Sequence, residues 1–197
     1  MTDSLTRLRR RPMLAPLLLP LFAVIVAGAG IVWLSTWART TVIVMVPHAE
    51  PAASNSGDPD LSPAGERRAA QLGPVLADAL DGRTVDHLYA ADTRRAQQTA
   101  ASVANQFKLP MNLLAGSDWA GLASRLKRDH RGGTVVVVGY ASTLPAVINH
   151  LTGGHYTLDS GDHGSIFVVV LPSPGQPGVV RLRYGGVSPT AAGSAAR

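Results

Sequence analysis

The sequence predicts a layered α/β fold whose mostly parallel sheet is closed by an antiparallel pair, preceded by one transmembrane helix. Three observations carry this. Strand-like and helix-like segments alternate from residue 40 to residue 151, the order expected of a parallel sheet covered by helices. Thr134 is followed by the unbroken apolar run Val135-Val136-Val137-Val138, as in a central strand buried on both faces. Met13 to Ala38 is a stretch of 26 residues without a charge, longer than the ~20 a helix needs to cross a bilayer core.

The chain begins with a basic tail, residues 1–12, carrying Arg7, Arg9, Arg10 and Arg11. The apolar run 13–38 follows, with Pro16 and Pro20 near its start, so the regular helix is expected after them. Trp33 and Trp37 stand near its end, where amphipathic rings suit a membrane interface. A cleaved signal peptide is the alternative, with Ala27-Gly28-Ala29 as the cleavage site. Ile31, Val32, Trp33 and Leu34 prolong the run past that site, which favours a single-pass anchor. Arginines precede the run and only Arg39 follows closely, so the N-terminus is expected in the cytoplasm and the domain outside it, in a periplasm or at a cell surface.

The domain is expected over residues 40–185. Thr40 to Val46 reads as the first strand, and residues 52–60 as a polar loop. Ser62-Pro63 opens a helix over 64–80, serine as cap and proline at the first turn, with Leu72, Leu76 and Leu80 on one face and a kink expected at Gly73-Pro74. A strand over 84–90 and a helix over 93–107 follow, then a short strand over 111–114. A helix over 118–130 puts Leu122 and Leu126 on one face and stops at Gly132-Gly133. After the valine strand comes a helix over 143–151, ended at Gly153-Gly154. Strands over 165–171 and 179–184 are joined by a turn. Residues 186–197, rich in small residues, read as a disordered tail.

Charge and composition exclude several functions. Of the net charge of +5, residues 1–39 hold +4 through five Arg and one Asp, leaving +1 for the domain. The basic balance therefore belongs to the tail before the membrane and points to anionic lipid, not nucleic acid. Zero cysteines exclude disulfides, thiolate catalysis and cysteine-bound metal. The histidines form no metal-ligand spacing, and no glycine loop fits a nucleotide-binding pattern. Arg67-Arg68 and Arg125, Lys127, Arg128 and Arg131 read as solvated helix faces.

In open α/β sheets ligands bind beyond the carboxyl ends of the strands. His48 follows the first strand there, Arg94-Arg95 the second, and Tyr140 the valine strand. Together with "PHAE", "DPDLSPAGERRAAQL", "LYAADTRRAQQTA" and "TVVVVGYASTLPAVINHLTGG" in this order, these residues give the chain a resemblance to the histidine phosphatase superfamily, and within it to a small bacterial branch. The resemblance spans 40 to about 185. It implies a three-layer α/β/α phosphoglycerate-mutase-like fold and phosphoryl transfer with no metal or organic cofactor. His48 matches the phosphorylated nucleophile, and Arg95 the arginine that clamps the phosphoryl oxygens. It also implies Glu50, Tyr140 and Thr99 at the substrate, while Asp118 is either a candidate general acid or a helix N-cap.

Two positions depart from the family pattern. Pro47 stands where the family has a phosphoryl-binding arginine, and Tyr140 where it has a second pocket histidine. Ala91 and Ser142 replace the usual Ser and Asn. Proline offers neither charge nor N–H, and tyrosine is neutral at pH 7. The expectation is therefore an impaired hydrolase of phosphomonoesters or phosphohistidine, acting through a phosphohistidine. The alternative is a pseudophosphatase that binds a phosphorylated small molecule or a phosphoprotein without turnover.

Overall fold

The computed structural model describes residues 15–37, 39–115 and 118–186; the expected basic tail 1–12, and all but the first residue of the expected tail 186–197, lie outside them. The chain divides into two units, 1–38 and 39–197.

The first unit contains α1, Ala15–Trp37, of 23 residues. It starts ahead of both prolines, not after them, and Pro20 lies inside it. The side chains described, 20–33, are exposed on every side. Among the described residues no helix is long and apolar enough to cross a membrane.

The second unit is a six-stranded sheet with helices. In chain order its elements are β1 (Arg39–Pro47), α2 (Pro63–Ala79), β2 (His87–Ala91), α3 (Arg94–Phe107), β3 (Met111–Leu114), α4 (Trp119–Asp129), β4 (Thr134–Gly139), α5 (Leu144–Thr152), β5 (Ser165–Ser173) and β6 (Gly178–Arg183). The strand order is β3-β2-β4-β1-β5-β6. The first three pairs are parallel, and β5 runs antiparallel to β1 and to β6. All six residues of β4 are buried. Successive side chains of a strand point to opposite faces, so both faces of the sheet are covered here. Helix α2 packs on α3, and α4 on α5.

Local chemistry explains where elements begin. Ser62 caps α2, its Oγ accepting from Gly65 N at 3.1 Å, with Pro63 in the first turn. Gly73, expected to help kink α2, serves close approach: a Cβ there would meet Ser102 O at 2.5 Å. Instead Ser102 Oγ accepts from Gly73 N and donates to Ala70 O, stitching α2 to α3. The second strand starts at His87 and not at Thr84; just before it Asp86 N donates to Thr134 O at 2.8 Å, while Asp86 Oδ2 accepts from Thr134 N at 2.7 Å, so its side chain stands in for a backbone carbonyl in one of the two bonds.

Strand register sets the backbone geometry around His48. Pro47 lies opposite Gly139 on the β4 side, and His48 N still donates to Gly139 O at 2.9 Å. On the other side the β1–β5 ladder stops at Met45 opposite Phe167. Backbone donors alternate between neighbours, so residue 47 would direct its N–H toward β5; proline has none. The carboxyl ends of β1, β2 and β4 share one edge, and the amino end of antiparallel β5 lies at the same edge.

Candidate functional site

His48 leaves β1 at this edge. Its Nδ1 lies 2.8 Å from the carbonyl of Ala49 and its Nε2 lies 3.2 Å from Nε of Arg95. A carbonyl only accepts and a guanidinium only donates. The tautomer follows: Nδ1–H donates to Ala49 O, and Nε2 keeps a lone pair facing the cation. Burial, then the charges of Arg95 and His163, outweigh the Ala49 hydrogen bond and hold the His48 pKa below its ordinary 6.5. At neutral pH the ring is uncharged, as a nucleophile must be.

Arg95 is in the first turn of α3, its side chain 17% exposed. Nη1 lies 3.4 Å from Oδ1 of Asp58, whose carboxylate also accepts from Arg94 N at 3.0 Å. Its guanidinium carbon stands 5.5 Å from the Tyr140 ring centre, a cation–π distance. Tyr140 meets His48 edge-on, centroids 6.1 Å apart, and Trp119 lies 6.2 Å behind it. Asp60 accepts from Gln98 and pairs with Arg94 at 3.0 Å, so the loop before α2 is fastened to α3.

Thr99 and Glu50, expected against substrate, have their polar atoms engaged within the protein. Thr99 is fully buried; its Oγ1 accepts from Ala49 N at 3.0 Å and donates to Arg95 O at 2.7 Å. It ties the carrier of the nucleophile to the carrier of the cation. Both oxygens of Glu50 are held by Arg68, with Nη2 to Oε1 at 2.7 Å and Nε within 3.0 Å of each. Arg68 corrects the reading of Arg67-Arg68 as a solvated face: it is 7% exposed, and its Nη1 donates to Tyr184 O at 2.7 Å. Gly65 permits this arrangement, since a Cβ there would collide with the Glu50 carbonyl.

Asp118 occupies the N-cap position of α4 but makes no capping hydrogen bond through its side chain, which is exposed. Its neighbour Trp119 forms the wall behind Tyr140. Cavities lie near the helices among the described residues, two of them large enough to note. One of about 580 Å³ is lined by Leu61, Gln98 and Ser102 among others, and one of about 340 Å³ by Trp119, Ser142, Thr143 and His150 among others; neither lining contains His48 or Arg95. Among the described residues no cluster of three or more His, Asp or Glu could hold a metal ion.

The structure also brings in a residue that local sequence pattern does not single out. His163, in the loop before β5, donates Nδ1–H to the His48 carbonyl at 2.8 Å, and the two rings lie 5.3 Å apart. The antiparallel pairing of β5 with β1 is the signal that could have found it.

Comparison with known proteins agrees with this fold. A family model, the histidine phosphatase superfamily (branch 1), matches residues 43–116. No curated protein matches the chain. Among solved structures, the protein histidine phosphatase SixA complexed with tungstate is similar at 16% identity and TM-score 0.57, over 72% of this chain and 96% of its own. Phosphoglycerate mutase from Bacillus anthracis is similar at 16% identity and TM-score 0.53, over 77% and 95%. At such identities the likeness is one of fold.

Proposed function

We propose that this chain, whose residues 43–116 match the histidine phosphatase superfamily (branch 1), is a slow hydrolase of phosphomonoesters or phosphohistidine that passes through a phosphohistidine on His48. One observation carries the proposal: the Ala49 carbonyl holds Nδ1–H, leaving the Nε2 lone pair 3.2 Å from the Arg95 guanidinium. In the first step Nε2 attacks phosphorus, and the bond from phosphorus to the leaving group breaks. Arg95 neutralises the phosphoryl oxygens. Water then cleaves the phosphorus–nitrogen bond, releasing phosphate and restoring His48. The rate is low because Pro47 and Tyr140 offer no charge, and each lost donor costs about 10²–10³ in rate. Such losses within one site do not simply add.

Asp118, exposed at the start of α4, is the acid proposed for poor leaving groups. An aryl phosphate, whose leaving group needs no proton, is therefore turned over faster than an alkyl phosphate. Measured with full-length protein, aryl phosphate hydrolysis should vanish in His48→Ala, and Asp118→Asn should slow only the alkyl ester. A second reading, binding without turnover, is favoured by Asp58, which already pairs with Arg95. Inactive wild type that still binds phosphate would establish that reading and overturn the first.

The proposal includes a membrane anchor. The uncharged run 13–38, which extends beyond the described helix and is preceded by four arginines, supports this segment as a span with the N-terminus cytoplasmic. Release of the protein from membranes by alkaline carbonate would overturn the anchor. Digestion of the domain by protease added to spheroplasts is the expected result, and protection would reverse the orientation.

A further inference from the structure

The pocket that holds His48 has one guanidinium, from Arg95, and a neutral aromatic wall. A phosphoryl dianion needs more than that, the more so because the Asp58 carboxylate pairs with Arg95; His163 is a further polar group that the structure brings to this edge. Its position follows from topology. Strand β5 is antiparallel to β1, with Val44 opposite Val168 and Met45 opposite Phe167. The residues just before Ser165 therefore arrive where β1 ends, and His163 reaches the His48 carbonyl at 2.8 Å.

The loop carrying His163 is firmly held. Asp162 is 9% exposed; its Oδ1 accepts from Gly164 N and Ser165 N, and its Oδ2 from Ser165 Oγ. Oδ2 also pairs with Arg181 and, at 3.0 Å, with Arg183 of β6. Five donors on one carboxylate fix the backbone immediately before the imidazole. A side chain anchored this way is preorganised and has little freedom to lose on binding a ligand.

From this geometry, and resting on the reading of His48 as a phosphoryl acceptor, we propose that His163 is a phosphoryl-binding residue, supplying from the loop before β5 the second imidazole that Tyr140 cannot. The carbonyl of His48 takes the Nδ1 proton. That leaves Nε2 for the ligand. An imidazole there can carry a second proton beside a dianion and donate a charge-assisted hydrogen bond to a phosphoryl oxygen. No covalent bond changes at His163. The same charge discourages protonation of the adjacent His48, so that the nucleophile stays neutral while the anion is held.

A purely structural histidine would serve only through its bond to the His48 carbonyl, and the two roles separate by substitution. Asparagine places an N–H near the position of Nδ1 and nothing at Nε2. Glutamine places an N–H near Nε2 and releases the carbonyl. The experiment measures orthovanadate binding to full-length wild type, His163→Asn and His163→Gln, with thermal midpoints recorded alongside. The expected result is a loss of about tenfold or more in vanadate affinity for His163→Asn, the usual scale for a hydrogen bond to a charged group, with its midpoint unchanged, and a smaller loss for His163→Gln. Equal affinity of His163→Asn and wild type, or a larger loss in Gln than in Asn, overturns the role of His163 and leaves His48 untouched. Wild type that binds no vanadate at all overturns the phosphoryl site itself.

Discussion

Pro47→Arg combined with Tyr140→His is expected to raise aryl phosphate turnover by about 100-fold or more. Residue 47 lies at the last β1–β4 pair, opposite Gly139, one residue from the nucleophile. An arginine there adds a planar cation, and its regained N–H faces the side where the β5 ladder has already ended. Residue 140 has its ring 6.1 Å from that of His48. A histidine there replaces a neutral phenol with a ring that can bear charge, at the expense of the cation–π contact with Arg95. Each single change should gain little, because charge in the transition state is shared across the pocket and donors within one site do not act independently. The gain must disappear when His48→Ala is added. Steady-state kinetics of the folded double variant is the measurement. A double variant that folds but stays inert would mean that the rest of the pocket has drifted and would favour binding without turnover. A wild type already fast, with nothing gained by the double change, would mean that Tyr140 and another cation do this work and that the missing arginine is not what limits the rate.

The valine run Val135 to Val138 announces the central strand in the sequence, because a strand buried on both faces needs no polar alternation. His48 and Arg95 are legible because each follows a strand whose carboxyl end lies at one edge, and topology does the rest. Arg68 is not legible. Periodicity puts it four residues before Leu72 on the buried face of α2, but residue type and the adjacent Arg67 favour a solvated reading, and the partner that permits its burial, Glu50, is 18 residues away in a loop. Thr99 resembles a substrate contact, yet both its hydrogen-bonding roles are spent within the fold. His163 escapes for a different reason: its place depends on the pairing of β5 with β1, which lies beyond any local pattern. The start of β2 lies later than expected: ahead of it Asp86 N still donates to Thr134 O, but the acceptor for Thr134 N is the Asp86 side chain, which local pattern does not reveal.

Arg68→Ala is expected to destabilise the domain by about 2–3 kcal/mol, somewhat less than the ~3–5 kcal/mol for breaking a fully buried ion pair, since Glu50 retains 23% exposure and some solvent screening. Against a typical domain stability of about 5–15 kcal/mol, a urea midpoint detects this easily. The large effect has a structural cause. Arg68 joins three segments distant in sequence: α2, the Glu50 segment beyond His48, and the chain after β6 at Tyr184. Removing it strands a carboxylate and a carbonyl. Replacing both partners, with Arg68→Met and Glu50→Gln, should cost less than Arg68→Ala alone, because no uncompensated charge is left behind. The pH dependence has a definite sign. Burial alone would raise the Glu50 pKa, but the Arg68 hydrogen bonds and the other interactions outweigh it and hold it below 4.5. A carboxylate depressed in the folded state adds stability above its unfolded pKa and loses it as pH falls through the folded value. The gap between wild type and Arg68→Ala should therefore be full at pH 7 and close as pH falls below 4.5. A gap that persists unchanged in acid would mean that Arg68 stabilises by packing and by its bond to Tyr184, and that its charge on Glu50 contributes nothing.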